Sequence, residues 1–418
     1  MSSSFIALGV SSDIAERLER RGIAAPFPIQ SATLPDALAG RDVCGRAPTG
    51  SGKTIAFGIP LLARVGRAEP RRPKGLVLVP TRELAAQVRD ELVALAGHKG
   101  ASVTTVYGGV GFGAQIQALR RGTDIVVACP GRLADLVQRR EVHLSDVEVA
   151  VIDEADRMAD MGFLPEVRRL LDQVRDDRQT LLFSATLDGD VEVLVNRYQR
   201  SPVVHELVAS DDAPPSRHVF FGVDRSERIG VAASIVGAEW PAMVFCRTKH
   251  GADRLARQLA KAGVTTATIH GNRSQGQRQR ALDDFAKGKV QALVATDVAA
   301  RGIHVDQVAC VVHFDPPGDD KAYVHRSGRT GRAGEIGVVV SLVTDEQTAE
   351  ARSMQRRLAL PVGLHAPDLV ALTDEAHAAR PVATNGHEDT TSPGRSRRRR
   401  SRGRRTRTGS TRRVDSRR

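Results

Sequence analysis

The chain has 418 residues, of which 41% are hydrophobic and 26% are charged. This length exceeds what one hydrophobic core supports, so we expect two or three domains of a soluble globular protein. No apolar run approaches the roughly 20 residues that span a bilayer, and the first residues lack the basic region and long apolar core of a signal peptide. We therefore expect a cytoplasmic protein with no membrane segment.

Short β-rich runs alternate with helical patterns along most of the chain. In order, these runs are 75–80, 124–130, 147–153, 180–186, 242–246, 266–270, 290–296 and 308–315. Such alternation indicates βαβ units, in which helices cover a parallel sheet. The polar stretch 209–217 separates the first four runs from the last four. The sequence therefore predicts an α/β fold with domains at 1–208 and 218–364 and a linker at 209–217.

The last part of the chain has a different composition. From residue 365 the sequence is rich in Ala, Pro, Thr and Ser, and residues 394–418 contain thirteen Arg and one Asp. That segment accounts for the whole net charge of +12, so the rest of the chain is formally neutral. A segment so poor in apolar residues cannot bury enough surface to order itself. We predict a disordered basic tail over 365–418.

The four cysteines are far apart in the sequence, at Cys44, Cys129, Cys246 and Cys310. They form no CxxC pair, and three lie in or beside apolar runs. We expect reduced, buried thiols, with neither a disulfide nor a zinc site.

The segment APTGSGKT, residues 47–54, follows a predicted strand and precedes an apolar helical stretch, which is the setting of a phosphate-binding loop. Gly50 and Gly52 let backbone amides approach phosphate oxygens, Lys53 supplies a positive charge, and the Thr54 hydroxyl can bind Mg²⁺. The generic pattern has Gly where this chain has Ala47. A chance glycine-rich turn is the alternative, and the flanking strand and helix argue against it.

Three carboxylates, Asp153, Glu154 and Asp156, occur at and just beyond the end of the apolar run 147–153, in the segment VAVIDEADRM. Carboxylates at the end of a parallel strand face the crevice where ligands bind in open α/β sheets. Asp153 would hold Mg²⁺ together with Thr54, and Glu154 would orient or deprotonate an attacking water. A solvated acidic helix start is the alternative, and it explains Asp156 better than it explains Asp153.

Ten short segments occur in an order that is typical of one enzyme family. They are PFPIQ (26–30), APTGSGKT (47–54), PTREL (80–84), GG (108–109), CPGR (129–132), DEAD (153–156), SAT (184–186), VFCRT (244–248), ATDVAARGIH (295–304) and HRSGRTGR (325–332). Through these segments, the region from about residue 5 to 345 resembles the DEAD-box RNA helicases of superfamily 2, of the bacterial type with a short Arg-rich tail.

The resemblance implies two tandem RecA-like domains that close over ATP, Mg²⁺ and a single RNA strand. Gln30 would read the adenine edge, since an amide donates and accepts hydrogen bonds. The residues that would complete the nucleotide site are Ile23, Thr49, Gly50, Ser51, Gly52, Lys53, Thr54 and His304. The residues that would couple this site to the contacts between domains are Ser184, Thr186 and His325. Arg329 and Arg332 would act as arginine fingers on the transferred phosphoryl group.

The resemblance also implies an RNA-binding surface on both domains. In the first domain its residues would be Pro80, Thr81, Arg82, Gly108, Gly109, Gly131 and Arg132. In the second they would be Arg247, Thr248, His270, Gly271 and Thr296. Contacts of this kind go mostly to phosphates and 2′-hydroxyls, so binding would be largely independent of base sequence.

Three residues depart from the family pattern at these sites. Ile23 stands where an aromatic residue usually stacks on adenine, which predicts weak ATP affinity. His304 replaces an Asp expected to bond a ribose hydroxyl, which predicts pH-sensitive nucleotide recognition. Cys129 replaces a Thr, and its thiol is a poor hydrogen-bond donor, so one RNA phosphate contact is weakened.

The sequence leaves several functional alternatives open. The basic tail is either an RNA tether or a neutral disordered end. The leading interpretation is an RNA-stimulated ATPase that unwinds or remodels RNA duplexes and ribonucleoprotein. The alternatives are an ATP-gated RNA clamp or annealing chaperone acting mainly through the tail, and a double-stranded-DNA translocase of the same superfamily. Ribosome assembly, messenger decay and cold adaptation all remain open, with ribosomal or RNA-decay proteins as candidate partners.

Overall fold

The computed structural model describes residues 4–48, 50–97, 100–187, 189–207, 216–300, 308–331, 336–372 and 378–379. Two parallel sheets divide this part of the chain into a first domain, up to residue 207, and a second domain, from residue 216. The predicted α/β class with two RecA-like domains is confirmed.

The first domain is built around a sheet with strand order β3-β4-β2-β5-β6-β1-β7, in which neighbouring strands are parallel. Its strands are β1 (Val43–Arg46), β2 (Gly75–Leu78), β3 (Val103–Val106), β4 (Ile125–Ala128), β5 (Val149–Asp153), β6 (Gln179–Ser184) and β7 (Val203–Glu206). Its helices are α1 (Ser12–Arg20), α2 (Pro28–Leu38), α3 (Lys53–Arg64), α4 (Arg82–Ala96), α5 (Gly113–Arg121), α6 (Pro130–Gln138), α7 (Ala155–Asp160), α8 (Leu164–Leu171) and α9 (Asp190–Tyr198).

The second domain has a similar sheet with strand order β10-β11-β9-β12-β13-β8-β14, in which all neighbouring strands are parallel except β8 and β14. Its strands are β8 (Ser216–Gly222), β9 (Ala242–Phe245), β10 (Thr266–Ile269), β11 (Ala292–Ala295), β12 (Cys310–His313), β13 (Val338–Val343) and β14 (Ala378–Ala379). Its helices are α10 (Arg228–Ala238), α11 (Lys249–Lys261), α12 (Gln275–Ala286), α13 (Asp297–Ala300), α14 (Asp320–Ser327) and α15 (Thr348–Arg357).

The central strands of both sheets are buried on both faces. Every residue of β2, β4 and β5 in the first domain, and of β9, β11 and β12 in the second, is buried. This explains their continuous apolar runs, because helices cover both sides of a parallel sheet. Since neighbouring strands are parallel, their carboxyl ends lie along one edge of each sheet, and the segments after β2, β3 and β4 are therefore neighbours.

The boundaries predicted for the linker and tail require correction. Ser216 and Arg217 belong to β8 and not to a linker. Beyond residue 364, His365 donates its backbone N–H to Phe220 O at 2.8 Å, and β14 pairs antiparallel with β8. The second domain therefore extends to at least residue 379. These contacts use backbone groups, so composition alone gave no signal for them. Residues 380–418 lie outside the described part of the chain.

The four cysteines have no disulfide partners, and Cys129 is only half-buried while the other three are buried. Over the described residues, no helix combines the length and apolar character that crossing a membrane requires.

Candidate functional site

The loop between β1 and α3 has the geometry of a phosphate-binding loop. Gly50 and Gly52 have φ angles of 83° and 84°, a left-handed conformation that glycine adopts without strain. Lys53 begins α3 and is 6% exposed, and its Nζ donates to Ala47 O at 2.9 Å. Its charge is thus held within the loop at a helix N-terminus, where anions are favoured. Thr49 lies outside the described residues.

Two further loop residues lie close to Lys53. Ser51 Oγ donates to Pro48 O at 2.7 Å, which fixes the start of the turn. Thr54 is the second residue of α3 and is half-buried.

The side chain of Gln30, in α2, is hydrogen-bonded to this loop. Its Nε2 donates to Gly52 O at 3.0 Å, its Oε1 accepts the Phe27 N–H at 2.9 Å, and the residue is fully buried. A Cβ at position 52 would lie 2.4 Å from Gln30 Nε2, so only glycine fits there. Adenine recognition by Gln30 stays a prediction, and it requires the amide to share or exchange these partners.

Asp153 ends β5 and is 2% exposed. Burial raises the pKa of its carboxyl group to about 7, the nearby Lys53 opposes this shift, and Glu154 adds to it. Carboxylate oxygens of this kind are ligands that a hard divalent cation takes in proteins. Among the described residues, no cluster of three or more His, Cys, Asp or Glu forms a metal site by itself. Mg²⁺ is usually held by one or two carboxylates together with nucleotide phosphates, and Asp153 would be such a carboxylate.

Glu154 links the strand to the next helix. It has a φ angle of 52° at the start of α7, and its backbone N–H donates to Asp153 Oδ1 at 3.0 Å. Its carboxylate forms a buried ion pair with Arg157 at 3.0 Å. A non-glycine residue in this strained conformation is often found at a functional site.

The end of β6 is attached to the same region. Ser184 is fully buried, and its Oγ accepts the Asp156 N–H at 3.1 Å. Thr186 follows in the next loop and is half-buried. This hydrogen bond connects the start of α7 to the segment predicted to couple the two domains.

The second domain faces this region through α14. A cleft between the domains is lined by Arg157 from the first domain and by His325, Arg326 and Arg329 from the second. Burial lowers the pKa of His325, and the Arg157 charge lowers it further. Arg329 is 5% exposed. Arg332 and His304 lie outside the described residues.

The first-domain residues predicted to contact RNA follow three adjacent strands. Pro80, Thr81 and Arg82 follow β2, Gly108 and Gly109 follow β3, and Gly131 and Arg132 follow β4. Thr81 Oγ1 caps α4 by accepting the Leu84 N–H at 3.3 Å. Gly109 has a φ angle of 78°, and a Cβ there would lie 2.0 Å from Arg82 Nη1. Gly109 therefore packs directly against the Arg82 guanidinium, whereas a Cβ at Gly108 would have no neighbour within 4 Å.

The second-domain residues occupy the matching edge. Arg247 and Thr248 follow β9 and are exposed, His270 and Gly271 follow β10, and Thr296 follows β11. Thr248 caps α11, accepting the Gly251 N–H at 3.0 Å, as Thr81 caps α4. His270 is buried, with Nε2 3.0 Å from Asp253 Oδ1. This buried contact fixes the position of His270 at the end of β10.

Sequence reasoning missed a buried contact between the domains. Glu83 of α4 accepts a hydrogen bond from Gln275 Nε2 at 3.1 Å and pairs with Arg278 at 3.1 Å, both on α12. The Glu83 side chain is 3% exposed and that of Arg278 is 11% exposed. The only local signal was an acidic residue in the first turn of α4, which the helix dipole alone explains.

Phe27 is a second residue that the sequence did not single out. It is 53% exposed, and its ring lies so close to Gly52 that a Cβ there would be 2.8 Å from Phe27 Cδ2. Ile23, which was predicted to face adenine, is half-buried and packs on the apolar cluster of the N-terminal helices. An aromatic ring is therefore present beside the phosphate-binding loop, at a different position from the expected one.

Comparison with known proteins supports a single family. The DEAD/DEAH box helicase family model matches residues 27–194, and the helicase conserved C-terminal domain model matches residues 233–334. DEAD-box ATP-dependent RNA helicase CshA of Bacillus subtilis is 38% identical over 359 residues, which cover 85% of this chain and 72% of that protein. CshA of Bacillus cereus is 38% identical over 357 residues, with coverages of 85% and 68%.

Solved structures show the same likeness. S. cerevisiae Dbp5 bound to RNA and ADP BeF3 has a TM-score of 0.75 at 27% identity, covering 87% of this chain and 96% of that one. A DEAD box protein from Methanococcus jannaschii has a TM-score of 0.52 at 34% identity, with coverages of 87% and 99%.

Proposed function

Because this chain belongs to the DEAD-box helicase family, we propose that it is an ATP-dependent RNA helicase. RNA-stimulated ATP hydrolysis would drive local unwinding or remodelling of RNA duplexes and ribonucleoprotein. Its two domains, at residues 1–208 and from about 216 to 379, would close around ATP and one RNA strand. One observation carries this proposal. The residues predicted to bind the nucleotide follow β1, β5 and β6, and those predicted to contact RNA follow β2, β3 and β4, so both sets lie along the same edge of the first sheet.

The chemistry assigned to the nucleotide site follows from the charges there. Lys53 and the amides of the loop would bind the outer phosphates, while Asp153 and Thr54 would hold Mg²⁺, which neutralises charge on those phosphates. Glu154 would orient or deprotonate the attacking water. The ion pair with Arg157 holds the Glu154 carboxylate in place beside the cleft.

Completion of the site by the second domain explains why RNA would stimulate hydrolysis. Arg329 and Arg332 would stabilise the charge on the transferred phosphoryl group, and neither belongs to the domain that carries the phosphate-binding loop. Binding of RNA across both sheet edges would favour the closed arrangement. Closure on one bent strand is incompatible with a duplex, so each cycle would disrupt a few base-pair steps, at roughly 1.4 kcal/mol of stacking each.

The cellular setting belongs to the same proposal. Free cysteines, three of them buried, are typical of a reducing compartment, so we assign the protein to the cytoplasm. Its protein partners would be ribosomal or RNA-decay proteins.

The test is ATP hydrolysis by the intact chain with single-stranded RNA, single-stranded DNA or no polynucleotide. We expect stimulation by RNA only, and loss of at least a hundredfold in Glu154→Gln with ATP binding retained. Full turnover without a polynucleotide would refute the helicase assignment. Unwinding of a short duplex by Glu154→Gln at the wild-type rate would instead favour the annealing chaperone that acts through the basic tail.

A further inference from the structure

The ring of Phe112 contacts two arginine side chains at the edge of the first domain that is predicted to bind RNA. It lies in the loop after β3, is half-buried, and is followed by α5. The Arg132 guanidinium carbon lies 4.0 Å from the centroid of its ring, and that of Arg139 lies 4.4 Å away. Both distances are within the range of favourable cation–π contacts, to which arginine is especially suited.

The two charges have no acidic partner. Over the described residues, no carboxylate oxygen lies within 4.0 Å of Arg132 or Arg139, although Asp135 is on the same helix. In contrast, the nearby Arg120 forms a 2.6 Å ion pair with Glu141. Both guanidinium groups lie on one ring, so they are within about one Debye length (~8 Å) of each other and repel. An anion bound beside both guanidinium groups offsets this repulsion.

The two arginines are held in different ways. Arg132 Nη1 also donates to Val110 O at 3.0 Å, so it has an anchor besides the ring. Arg139 is exposed, follows the last residue of α6, and has the ring as its one described side-chain contact. The orientation of Arg139 therefore depends on Phe112 more than that of Arg132 does.

The position of this pair indicates which anion it binds. Arg132 is in the first turn of α6, at the edge predicted to bind RNA. The Cα atom of Arg139 lies about 10 Å further along, just beyond the other end of the helix, and its side chain reaches back to the same ring. Guanidinium groups cover the ring, so it is not open for base stacking. The arrangement is suited to the phosphates of an extended strand.

We propose that Arg139 is a further RNA-phosphate contact and that Phe112 is a positioning residue that presents Arg139 beside Arg132. The inference rests on the proposed RNA-binding function. It adds a phosphate contact beside that of Arg132, on the same aromatic ring.

The experiment compares intact variants for binding of a labelled oligouridylate, with an ATP analogue present, over a range of salt concentrations. One phosphate contact to a single strand contributes about 0.7 to the slope of log K against log salt, which is about fivefold in affinity at 0.1 M salt. Arg139→Ala should raise Kd by about this factor and reduce the slope by about 0.7. Arg169→Ala, which removes another exposed arginine of the same domain, should change neither.

Substitutions of Phe112 test the positioning role. Phe112→Tyr keeps the ring and should bind like the wild type, whereas Phe112→Leu should reproduce most of the loss seen in Arg139→Ala. The double variant Phe112→Leu/Arg139→Ala should be only slightly weaker than Arg139→Ala, because both changes remove the same contact. Thermal denaturation checks folding, and a purely structural role for Phe112 would lower Tm without changing the salt slope.

The outcomes separate this inference from the function on which it rests. A wild-type chain that does not bind RNA would overturn both. RNA binding by the wild type, with Arg139→Ala indistinguishable from Arg169→Ala, would overturn only the Arg139 contact. A normal salt slope in Phe112→Leu, with the expected loss in Arg139→Ala, would overturn the positioning role of Phe112.

Discussion

The buried ion pair between Glu83 and Arg278 provides a direct test of whether domain closure controls turnover. Glu83 lies in the first domain and Arg278 in the second, so the pair exists only when the domains are in contact. Burial lowers the pKa of Arg278, and the Glu83 charge opposes that shift. Arg278→Ala would leave the Glu83 carboxylate buried beside Gln275 with no cation.

The size of the effect follows from what each partner loses. Removal of one member of a buried pair costs about 3–5 kcal/mol. Here Gln275 still donates one hydrogen bond to Glu83, and separation of the domains returns the carboxylate to water. We therefore expect a loss of about 2–3 kcal/mol from closure, which corresponds to a factor of roughly 30 to 160 in the closure equilibrium. The stability of each separate domain should not change.

The assay is RNA-stimulated ATP hydrolysis at saturating RNA and ATP, combined with energy transfer between dyes on the two domains. Lys321→Ala is the matched control, since its interdomain pair with Asp160 is exposed and contributes about 1 kcal/mol at most. Glu83→Gln in the Arg278→Ala background should restore part of the activity, because it removes the uncompensated buried charge. A turnover rate in Arg278→Ala within threefold of the wild type, with normal closure, would refute this reasoning.

Four further predictions concern residues outside that contact. Cys129 precedes α6 without a side-chain cap, so Cys129→Thr should stabilise the first domain by about 1 kcal/mol and raise Tm by about 2–4 °C in calorimetry. Ile23→Phe should lower the ATP KM, since stacking of a base on an aromatic ring contributes about 1–3 kcal/mol. If Ile23→Phe does not lower the KM and Phe27→Ser binds ATP more weakly than the wild type, the stacking residue is Phe27 instead. The lowered pKa of His325 means that the closed form binds fewer protons than the open form. Closure is therefore favoured above about pH 6.5 and is lost as pH falls below it. Closure measured by energy transfer between dyes on the two domains should follow this profile, and His325→Gln should flatten it. Removal of residues 394–418 should raise the RNA KM and reduce the salt dependence at unchanged kcat, and an unchanged salt slope would reject a tethering role.

The sequence predicted most of the central strands of both sheets, and it did so for a physical reason. A strand buried on both faces, such as β4 or β9, is apolar at every position and stands out from its surroundings. The edge strands β3 and β7 are only partly buried and were not identified, whereas β10, an edge strand that is no more buried than β3, was predicted from its run at 266–270. The strand β13 is fully buried, and its continuous apolar run was detectable by the same rule although it was not predicted.

The candidate site was predictable where its residues belong to one local segment. The phosphate-binding loop and the carboxylates after β5 carry their chemistry in consecutive residues, so spacing alone locates them. The Glu83 contacts with α12 are different, because the hydrogen bond from Gln275 joins residues that are 192 positions apart. The hydrogen bond from Gln30 to Gly52 could not be predicted from the sequence either, since it depends on how α2 packs against the loop.

The chemistry of the contacts between the domains explains how ligands could control closure. The described contacts include the buried pair of Glu83 and Arg278 and the exposed pair of Lys321 and Asp160, both of which exchange protein partners for water when the domains separate. A buried ion pair gains little net free energy, because desolvation offsets most of the attraction. A large apolar interface would hold the domains together without ligands. Polar contacts instead leave the two arrangements close in free energy, so that binding of ATP and RNA across both domains can decide between them.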